Sequence, residues 1–265
     1  MSLETAVSER DELVAIAQSL YLRGYTFGTA GNISARLDDR VVISPTNSSF
    51  GDLSVADLAE VNWTGEALPG PKPSKEAHFH LAAYRARPDA RAVVHLHSCY
   101  ATAVSCLEDL DLSDAMPVYT PYYAMRLPCL PVVNYYPPGD AALGPAVEAA
   151  AAKSPALLLR NHGSITIGRS LKEASALAEE IEEQAKLYFM LGSHGPLARP
   201  VRKRNRCRWS HRENAPLSTG CYGVDIRYPG DLPDLLPGQD TEALELAHLA
   251  RETVLGQLKT FLAGG

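Results

Sequence analysis

Two histidines close together in the chain have the side-chain type and spacing that could hold a divalent cation. His95 and His97 are two residues apart in a run typical of a buried strand, residues 90–97, so their imidazoles point to the same face of that strand. Neutral imidazole nitrogens suit a borderline metal such as Zn²⁺. The pair alone is as typical of two hydrogen-bonded core histidines as of a metal site.

Two further residues favour the metal site. His162 lies in a turn between two predicted strands, where Gly163 permits a tight bend, and Glu76 near the start of a predicted helix offers a carboxylate as a fourth ligand or general base. Three histidines and one glutamate predict a catalytic zinc centre. Glu76 and His80, one helical turn apart, could form a competing metal pair, but we expect His78 and His80 to pack or to form hydrogen bonds instead.

The cysteines point away from other kinds of metal or disulfide site. There are five, an odd number, and no Cys-x-x-Cys pair occurs among them, so neither a disulfide framework nor a thiolate zinc site is predicted. The first residues are charged from Glu4 onward and lack the pattern of a secretory signal, and no apolar run is long enough to span a bilayer. We therefore expect a cytoplasmic protein without a membrane partner.

Three short polar segments lie next to the predicted elements and could bind phosphate. They are Gly28–Asn32, Ser44–Asn47 and the pair Ser74 and Lys75. Free backbone amides and hydroxyls at such places bind anions well. Each segment alone is an ordinary turn, but together with a metal they predict a phosphorylated substrate.

The elements that must position these residues alternate between helical and strand patterns. A helix is predicted to begin at Ser74 and to end before Pro88. The same kinds of signal predict a helix over 4–24, a hairpin of strands 32–36 and 41–44, a strand over 59–64, helices over 98–107 and 140–153, strands over 156–161 and 164–168, and a helix over 170–191. The result is a mixed α/β layer protein that ends near residue 192.

The end of the chain differs in composition from the rest. Residues 199–212 hold seven of the 25 basic residues and no acidic residue, so the other 251 residues carry 18 basic and 31 acidic side chains. Nucleic acid is a poor partner for such an acidic body, and the basic run is best interpreted as a solvated linker. We therefore expect a catalytic domain over 1–192 and an atypical appendage over 193–265, made of the basic linker, a Pro/Gly-rich segment and a terminal helix.

Five sequence motifs, in their order and spacing, resemble the class II aldolase/adducin family of zinc-dependent sugar-phosphate lyases and epimerases. They are GTAGNISAR, SPTN, PSKE, AVVHLHS and LLLRNHG, and the resemblance covers roughly residues 8–192. The segments TPYYAMRLPCLPVV, PGD at 138–140 and EEIEEQAKLYFM are most similar to the members that decarboxylate 3-oxo-tetronate 4-phosphates.

The resemblance implies a three-layer α/β/α domain with a mainly antiparallel central sheet, commonly assembled as a homotetramer with active sites at subunit interfaces. It implies that Glu76 is the metal-associated acid or base, and that Tyr122, with Tyr123 as its close competitor, is a proton donor that can reach in from a neighbouring subunit. The implied zinc ligands are Glu76, His95, His97 and His162. The implied phosphate contacts are Gly31, Asn32, Thr46, Asn47, Ser74 and, more weakly, Lys75.

The activity that the resemblance implies is decarboxylation of a 3-oxo-tetronate 4-phosphate to dihydroxyacetone phosphate and CO₂, through an enediolate held by the metal. Metal and phosphate sites alone do not separate this reaction from retro-aldol cleavage, because both leave the same negative charge to be stabilised. Two alternatives therefore stay open: an aldolase or epimerase of the fuculose 1-phosphate or ribulose 5-phosphate type, and a non-catalytic adducin-like scaffold.

Overall fold

A seven-stranded sheet forms the middle layer of the protein. The computed structural model describes residues 8–137, 140 and 142–192. The strands are β1 (Asn32–Arg36), β2 (Val41–Ile43), β3 (Ala59–Val61), β4 (Ala92–Leu96), β5 (Val132–Val133), β6 (Ala156–Leu159) and β7 (Gly163–Gly168). Their order is β3-β2-β1-β4-β7-β6-β5, and every neighbouring pair is antiparallel except β5 with β6. The prediction of a mainly antiparallel sheet is confirmed.

Helices cover both faces of this sheet. They are α1 (Glu9–Leu22), α2 (Ala77–Ala86), α3 (Cys99–Ser105), α4 (Pro121–Arg126), α5 (Leu143–Ala151) and α6 (Leu171–Leu191). Helices α2 and α5 share one apolar core with one face of the sheet, while α1, α3, α4 and α6 bury their apolar sides against the other face. The predicted three-layer α/β/α architecture is therefore confirmed.

Local sequence explains where the two long outer helices begin. The hydroxyl of Ser8 accepts a hydrogen bond from the amide of Asp11 at the start of α1, and Ser170 does the same for Glu173 at the start of α6. The apolar positions of α6 recur at helical spacing, and Ala174, Ala178, Ile181 and Ala185 are buried.

Two segments differ from the sequence expectations. Helix α2 begins at Ala77 rather than Ser74, because residues 74–76 form a turn that leaves Glu76 at the helix boundary. The Pro- and Tyr-rich stretch 117–138 contains the short helix α4 and strand β5, where no element was predicted. The predicted appendage, 193–265, lies outside the described residues, and no helix among those that are described is long and apolar enough to cross a membrane.

Candidate metal centre

The strand β4 brings the first two histidines to the helix α2 side of the sheet. Alternation along the strand sends Val94 and Leu96 into the core under α1 and α6, and sends His95 to the opposite face, where its ring meets Phe79 of α2 edge-on at 5.3 Å between centroids. His97 follows the last residue of the strand and stays on the same face as His95. The two Nε2 atoms are 2.9 Å apart.

The third histidine is placed by a tight turn between β6 and β7. Asn161 has a left-handed backbone, with φ of 56°, and the amide of His162 donates to the carbonyl of Leu159. At Gly163 a Cβ atom would lie 2.2 Å from the carbonyl oxygen of Leu96, so only glycine lets this turn approach the end of β4. The His162 ring consequently lies 4.5 Å from that of His97 and 4.8 Å from that of His95.

Glu76 completes the cluster from the start of α2. Its Oε2 atom is 3.5 Å from Nε2 of His95, and its Oε1 atom is 3.3 Å from Nε2 of His162. The four potential ligand atoms of Glu76, His95, His97 and His162 all lie within 4.8 Å of one another. The structure therefore brings together the complete ligand set predicted from the sequence.

The donor set and its spacing fit a divalent cation. Metal–nitrogen bonds of about 2.0–2.1 Å in a tetrahedral site put neighbouring ligand atoms about 3.3 Å apart, which is close to the separations found here. The Nδ1 atom of His95 is 2.8 Å from the carbonyl oxygen of Ser164, so this nitrogen carries the proton and Nε2 presents its lone pair to the cluster. Three nitrogens and one carboxylate, without a thiolate, are ligands that suit Zn²⁺ and other first-row divalent ions.

Burial and mutual charge keep the imidazoles of His95 and His97 neutral. Burial lowers the pKa of His95 to about 3, although Glu76 acts in the opposite direction. Burial also lowers the pKa of His97. For Glu76 burial raises the pKa, but the nearby His95 and the hydrogen bonds from His162 and Asn32 outweigh it and hold the pKa well below its usual range. At neutral pH Glu76 is therefore an anionic carboxylate beside the neutral imidazoles of His95 and His97, which is the protonation state that a cation needs.

A buried glutamate fixes the turn that follows His97. Glu182 of α6 accepts hydrogen bonds from the backbone amides of Tyr100 and Ala101, each at 2.8 Å. These are amides of the first turn of α3, which would otherwise lack partners. The link ties the segment after His97 to the longest helix of the described chain.

A cavity of about 590 Å³ opens beside the cluster, and the loops predicted to contact phosphate form its wall. The amide of Thr46 donates to the carbonyl of Lys72, and the amide of Ser74 donates to the carbonyl of Ser44, so the two polar turns run side by side. The hydroxyl of Ser74 accepts from the amide of Glu76. The predicted residues that line the cavity are Gly31, Asn32, Thr46, Asn47, Ser74, Lys75, Glu76, His97 and His162.

Close approach of β1 to β4 leads to a testable prediction at Gly31. This glycine has φ of +82°, and a Cβ atom there would lie 2.6 Å from the carbonyl oxygen of His95. Gly24 has nearly the same backbone, with φ of +78°, but open space around it. We expect Gly24→Ala to lower the free energy of unfolding by about 1–2 kcal/mol from the left-handed backbone alone.

Gly31→Ala adds a steric clash to the same backbone penalty, so we expect it to cost about 2–5 kcal/mol and to weaken metal binding by displacing His95. Urea unfolding of both variants, with a metal titration of each, measures the difference. Equal losses for Gly24→Ala and Gly31→Ala would contradict the close approach.

One predicted site residue belongs neither to the metal cluster nor to the wall of this cavity. Tyr122 lies on α4 with 39% of its surface exposed and does not line the cavity, while its competitor Tyr123 is fully buried in the core. The cavity wall also includes five residues that the sequence did not predict to line it: Tyr135, Tyr136, His78, Leu143 and Asn161. No periodic pattern in the sequence marks Tyr135 and Tyr136 as cavity residues.

His80 does not act as a metal ligand in this arrangement. Both of its ring nitrogens face polar side chains of β1, Asn32 and Ser34. The competing metal pair of Glu76 with His80 is therefore absent among the described residues, and His80 forms hydrogen bonds as expected.

The chain is similar in sequence to proteins of known activity. The Class II Aldolase and Adducin N-terminal domain model matches residues 11–189. A 3-oxo-tetronate 4-phosphate decarboxylase from Pectobacterium atrosepticum is 47% identical over 192 residues, which cover 72% of this chain and 88% of that protein. An L-fuculose phosphate aldolase from Methanococcus vannielii is 38% identical over 182 residues, which cover 69% of this chain and 96% of that protein.

A solved structure shares the fold as well. YgbL from Escherichia coli, described as an aldolase, epimerase or decarboxylase, superposes with a TM-score of 0.70 at 45% identity and covers 72% of this chain and 93% of its own. The family match spans well over half of the chain, and the resemblance based on the five motifs is confirmed. The chain belongs to the class II aldolase/adducin family.

Proposed function

We propose that this protein is a zinc-dependent lyase that decarboxylates a 3-oxo-tetronate 4-phosphate to dihydroxyacetone phosphate and CO₂. The observation that carries the proposal is the cluster of Glu76, His95, His97 and His162 at the edge of a cavity whose wall is rich in side-chain hydroxyls and amides. The 47% identity to a protein named 3-oxo-tetronate 4-phosphate decarboxylase supports the choice of reaction.

Zinc is the metal that best matches the donor set, and His95, His97, His162 and Glu76 would hold it. When bound, it would supply a positive charge beside the substrate's carbonyl oxygen and so stabilise the negative charge that develops as the bond to the carboxylate breaks. The protein's own side chains would keep the three imidazoles oriented, as the hydrogen bond from His95 to the carbonyl of Ser164 does for one of them.

The polar loops are suited to the phosphate of the substrate. Thr46 and Ser74 offer hydroxyl groups and Asn47 a side-chain amide on one wall, and Lys75 adds a positive charge beside them. Asn32 uses one N–H of its side-chain amide for Glu76, which leaves the other for a substrate oxygen. These contacts would hold the phosphate end while the carboxylate end faces the metal cluster.

The reaction needs one proton after CO₂ departs. The electron pair of the broken bond stays on the substrate carbon, which must then be protonated to give dihydroxyacetone phosphate. Glu76, at the cluster, is placed to hold or pass that proton. Tyr122 is the second candidate donor. Its exposure on α4, away from the cavity of its own chain, is what a residue serving a neighbouring subunit of a homotetramer requires.

Two further proposals concern the protein as a whole. A phosphorylated substrate is supplied inside cells, which supports a cytoplasmic location. We also propose that residues 1–192 form the catalytic domain and that 193–265 are an appendage outside it. Every metal-ligating and phosphate-facing residue named above precedes residue 193.

The proposal is tested by the products formed from defined substrates. Zinc-loaded protein is incubated with 3-oxo-tetronate 4-phosphate, while CO₂ is detected directly and dihydroxyacetone phosphate by a coupled reductase. We expect equimolar CO₂ and dihydroxyacetone phosphate. An aldehyde released from fuculose 1-phosphate, with no CO₂ from the 3-oxo acid, would instead establish the aldolase alternative. Conversion of ribulose 5-phosphate to its epimer would establish the epimerase alternative. A purified protein that assembles without metal and turns over none of these substrates would support the scaffold.

A further inference from the structure

A continuous chain of buried hydrogen bonds leads away from the metal cluster through the interior. Nδ2 of Asn32 donates to Oε2 of Glu76 at 2.6 Å, and Oδ1 of the same amide faces Nε2 of His80. Nδ1 of His80 lies 2.7 Å from the hydroxyl of Ser34, which lies 2.9 Å from the hydroxyl of Tyr84. Asn32, Ser34, His80 and Tyr84 are all buried.

The regular spacing of two elements produces this chain. Glu76, His80 and Tyr84 are four residues apart at the start of and along α2, a repeat of about 6 Å on one face of a helix. Asn32 and Ser34 are two residues apart on β1, a repeat of about 6.6 Å on one face of a strand. The two repeats have nearly the same length, so the side chains of the helix and the strand interdigitate.

The carboxylate of Glu76 determines which group donates and which accepts in every hydrogen bond of this series. An ionised carboxylate only accepts, so Asn32 must present its NH₂ group to Glu76 and its carbonyl oxygen to His80. That oxygen needs a donor, which requires the proton of His80 to be on Nε2. The unprotonated Nδ1 then accepts from Ser34, whose oxygen accepts from Tyr84.

The ring of His80 can keep this role only as a neutral imidazole. Burial lowers the pKa of His80 to about 3, and no other effect on it is as large. A neutral ring has one donor and one acceptor nitrogen, so the carbonyl oxygen of Asn32 selects Nε2 as the donor and the hydroxyl of Ser34 bonds the acceptor Nδ1.

We propose that His80 is a positioning residue that acts through Asn32 to fix the orientation of the Glu76 carboxylate at the metal cluster. The part that concerns turnover rests on the proposed function, whereas the part that concerns Glu76 and metal affinity does not. Without the donor from His80, the Asn32 amide is free to rotate, and its carbonyl oxygen would then face the carboxylate and repel it. The carboxylate would leave the position from which it meets His95 and His162.

A matched pair of substitutions separates positioning from packing. Asparagine at position 80 places its polar atoms near the former Nδ1 and so can bond Ser34, but it does not reach Asn32. Glutamine extends to the former Nε2 and can donate to Asn32, but it loses the acceptor for Ser34. Each variant therefore loses one buried hydrogen bond, and the thermal stabilities of the two should fall by similar amounts.

We expect His80→Asn to lower kcat by about 100-fold, the usual effect of a slightly misplaced catalytic group, with KM within about threefold of wild type. His80→Gln should keep kcat within about threefold. Zinc affinity, measured by competition with a chelator, should fall about tenfold in His80→Asn and stay unchanged in His80→Gln. Equal losses of kcat and zinc affinity in both variants, or none in His80→Asn, would overturn the proposal.

The proton position is measured on the wild-type protein without substrate. Nuclear magnetic resonance of protein with ¹⁵N-labelled histidine distinguishes the two tautomers, and we expect a proton on Nε2 of His80 with Nδ1 unprotonated. A proton on Nδ1 would overturn the proposal. If 3-oxo-tetronate 4-phosphate is not a substrate, the proposed function fails, but the tautomer and the zinc affinities still decide whether His80 positions Glu76.

Discussion

His97→Ala is expected to abolish both metal binding and turnover. His97 supplies one of three imidazole nitrogens, and its Nε2 atom is the nearest cluster neighbour of His95 Nε2, at 2.9 Å. Removing it leaves two imidazoles and a carboxylate around a cavity open to water. Because a Lewis-acid metal contributes several kcal/mol to such a reaction, we expect kcat to fall at least about 1000-fold.

The measurement is metal content per chain after dialysis, with turnover measured on the same sample. Cys106→Ala is a matched control, since Cys106 is exposed at the end of α3, the helix that follows His97. The control should keep wild-type metal content and rate. Full activity in His97→Ala, with or without added zinc, would contradict the assignment of His97 as a ligand.

Glu76→Gln is expected to separate metal binding from catalysis. The substitution keeps the shape of the side chain but removes its charge and replaces one acceptor oxygen with an NH₂ group. This NH₂ group faces either the amide of Asn32 or a ring nitrogen of the cluster. The three imidazoles remain, so zinc should still bind, although more weakly. We expect kcat to fall by about 100- to 10,000-fold, the range for loss of an acid or base group.

A different glutamate, which lies on the surface away from the cluster, provides the control for this variant. Glu148 of α5 pairs with Arg85 at 3.0 Å, and both side chains are more than two-fifths exposed. Glu148→Gln should leave kcat and metal content unchanged, because an exposed ion pair contributes little. A Glu76→Gln protein with wild-type kcat would show that Glu76 takes no part in proton transfer or in shaping the cluster.

Much of the architecture could be predicted from local sequence signals. The spacing of His95 and His97 requires a common face on any strand, and the segment Asn161–Gly163 requires a tight turn. Both statements depend on neighbouring residues only. The family resemblance supplied the order of the layers and the mainly antiparallel sheet, which local patterns do not give, because strand pairing joins residues far apart in the chain.

The contacts that hold the cluster in place could not be predicted from the sequence. Asn32 lies opposite His95 in the pairing of β1 with β4, and no local pattern gives that register. Asn32 was expected only as a phosphate contact, yet its amide also joins Glu76 to His80. Helix α4 was missed because it has only six residues and the tyrosines in it are weak helix formers, although the hydroxyl of Thr120 caps its first turn and Pro121 suits the first helical position.

We infer that turnover needs one divalent cation, held by Glu76, His95, His97 and His162. The most direct measurement is a titration of metal-stripped protein with Zn²⁺, in which the rate of CO₂ release from 3-oxo-tetronate 4-phosphate is recorded at each addition. We expect no CO₂ release before addition, a linear rise in rate as zinc is added, and a plateau at one zinc per chain. A stripped protein that releases CO₂ at the full rate would contradict it.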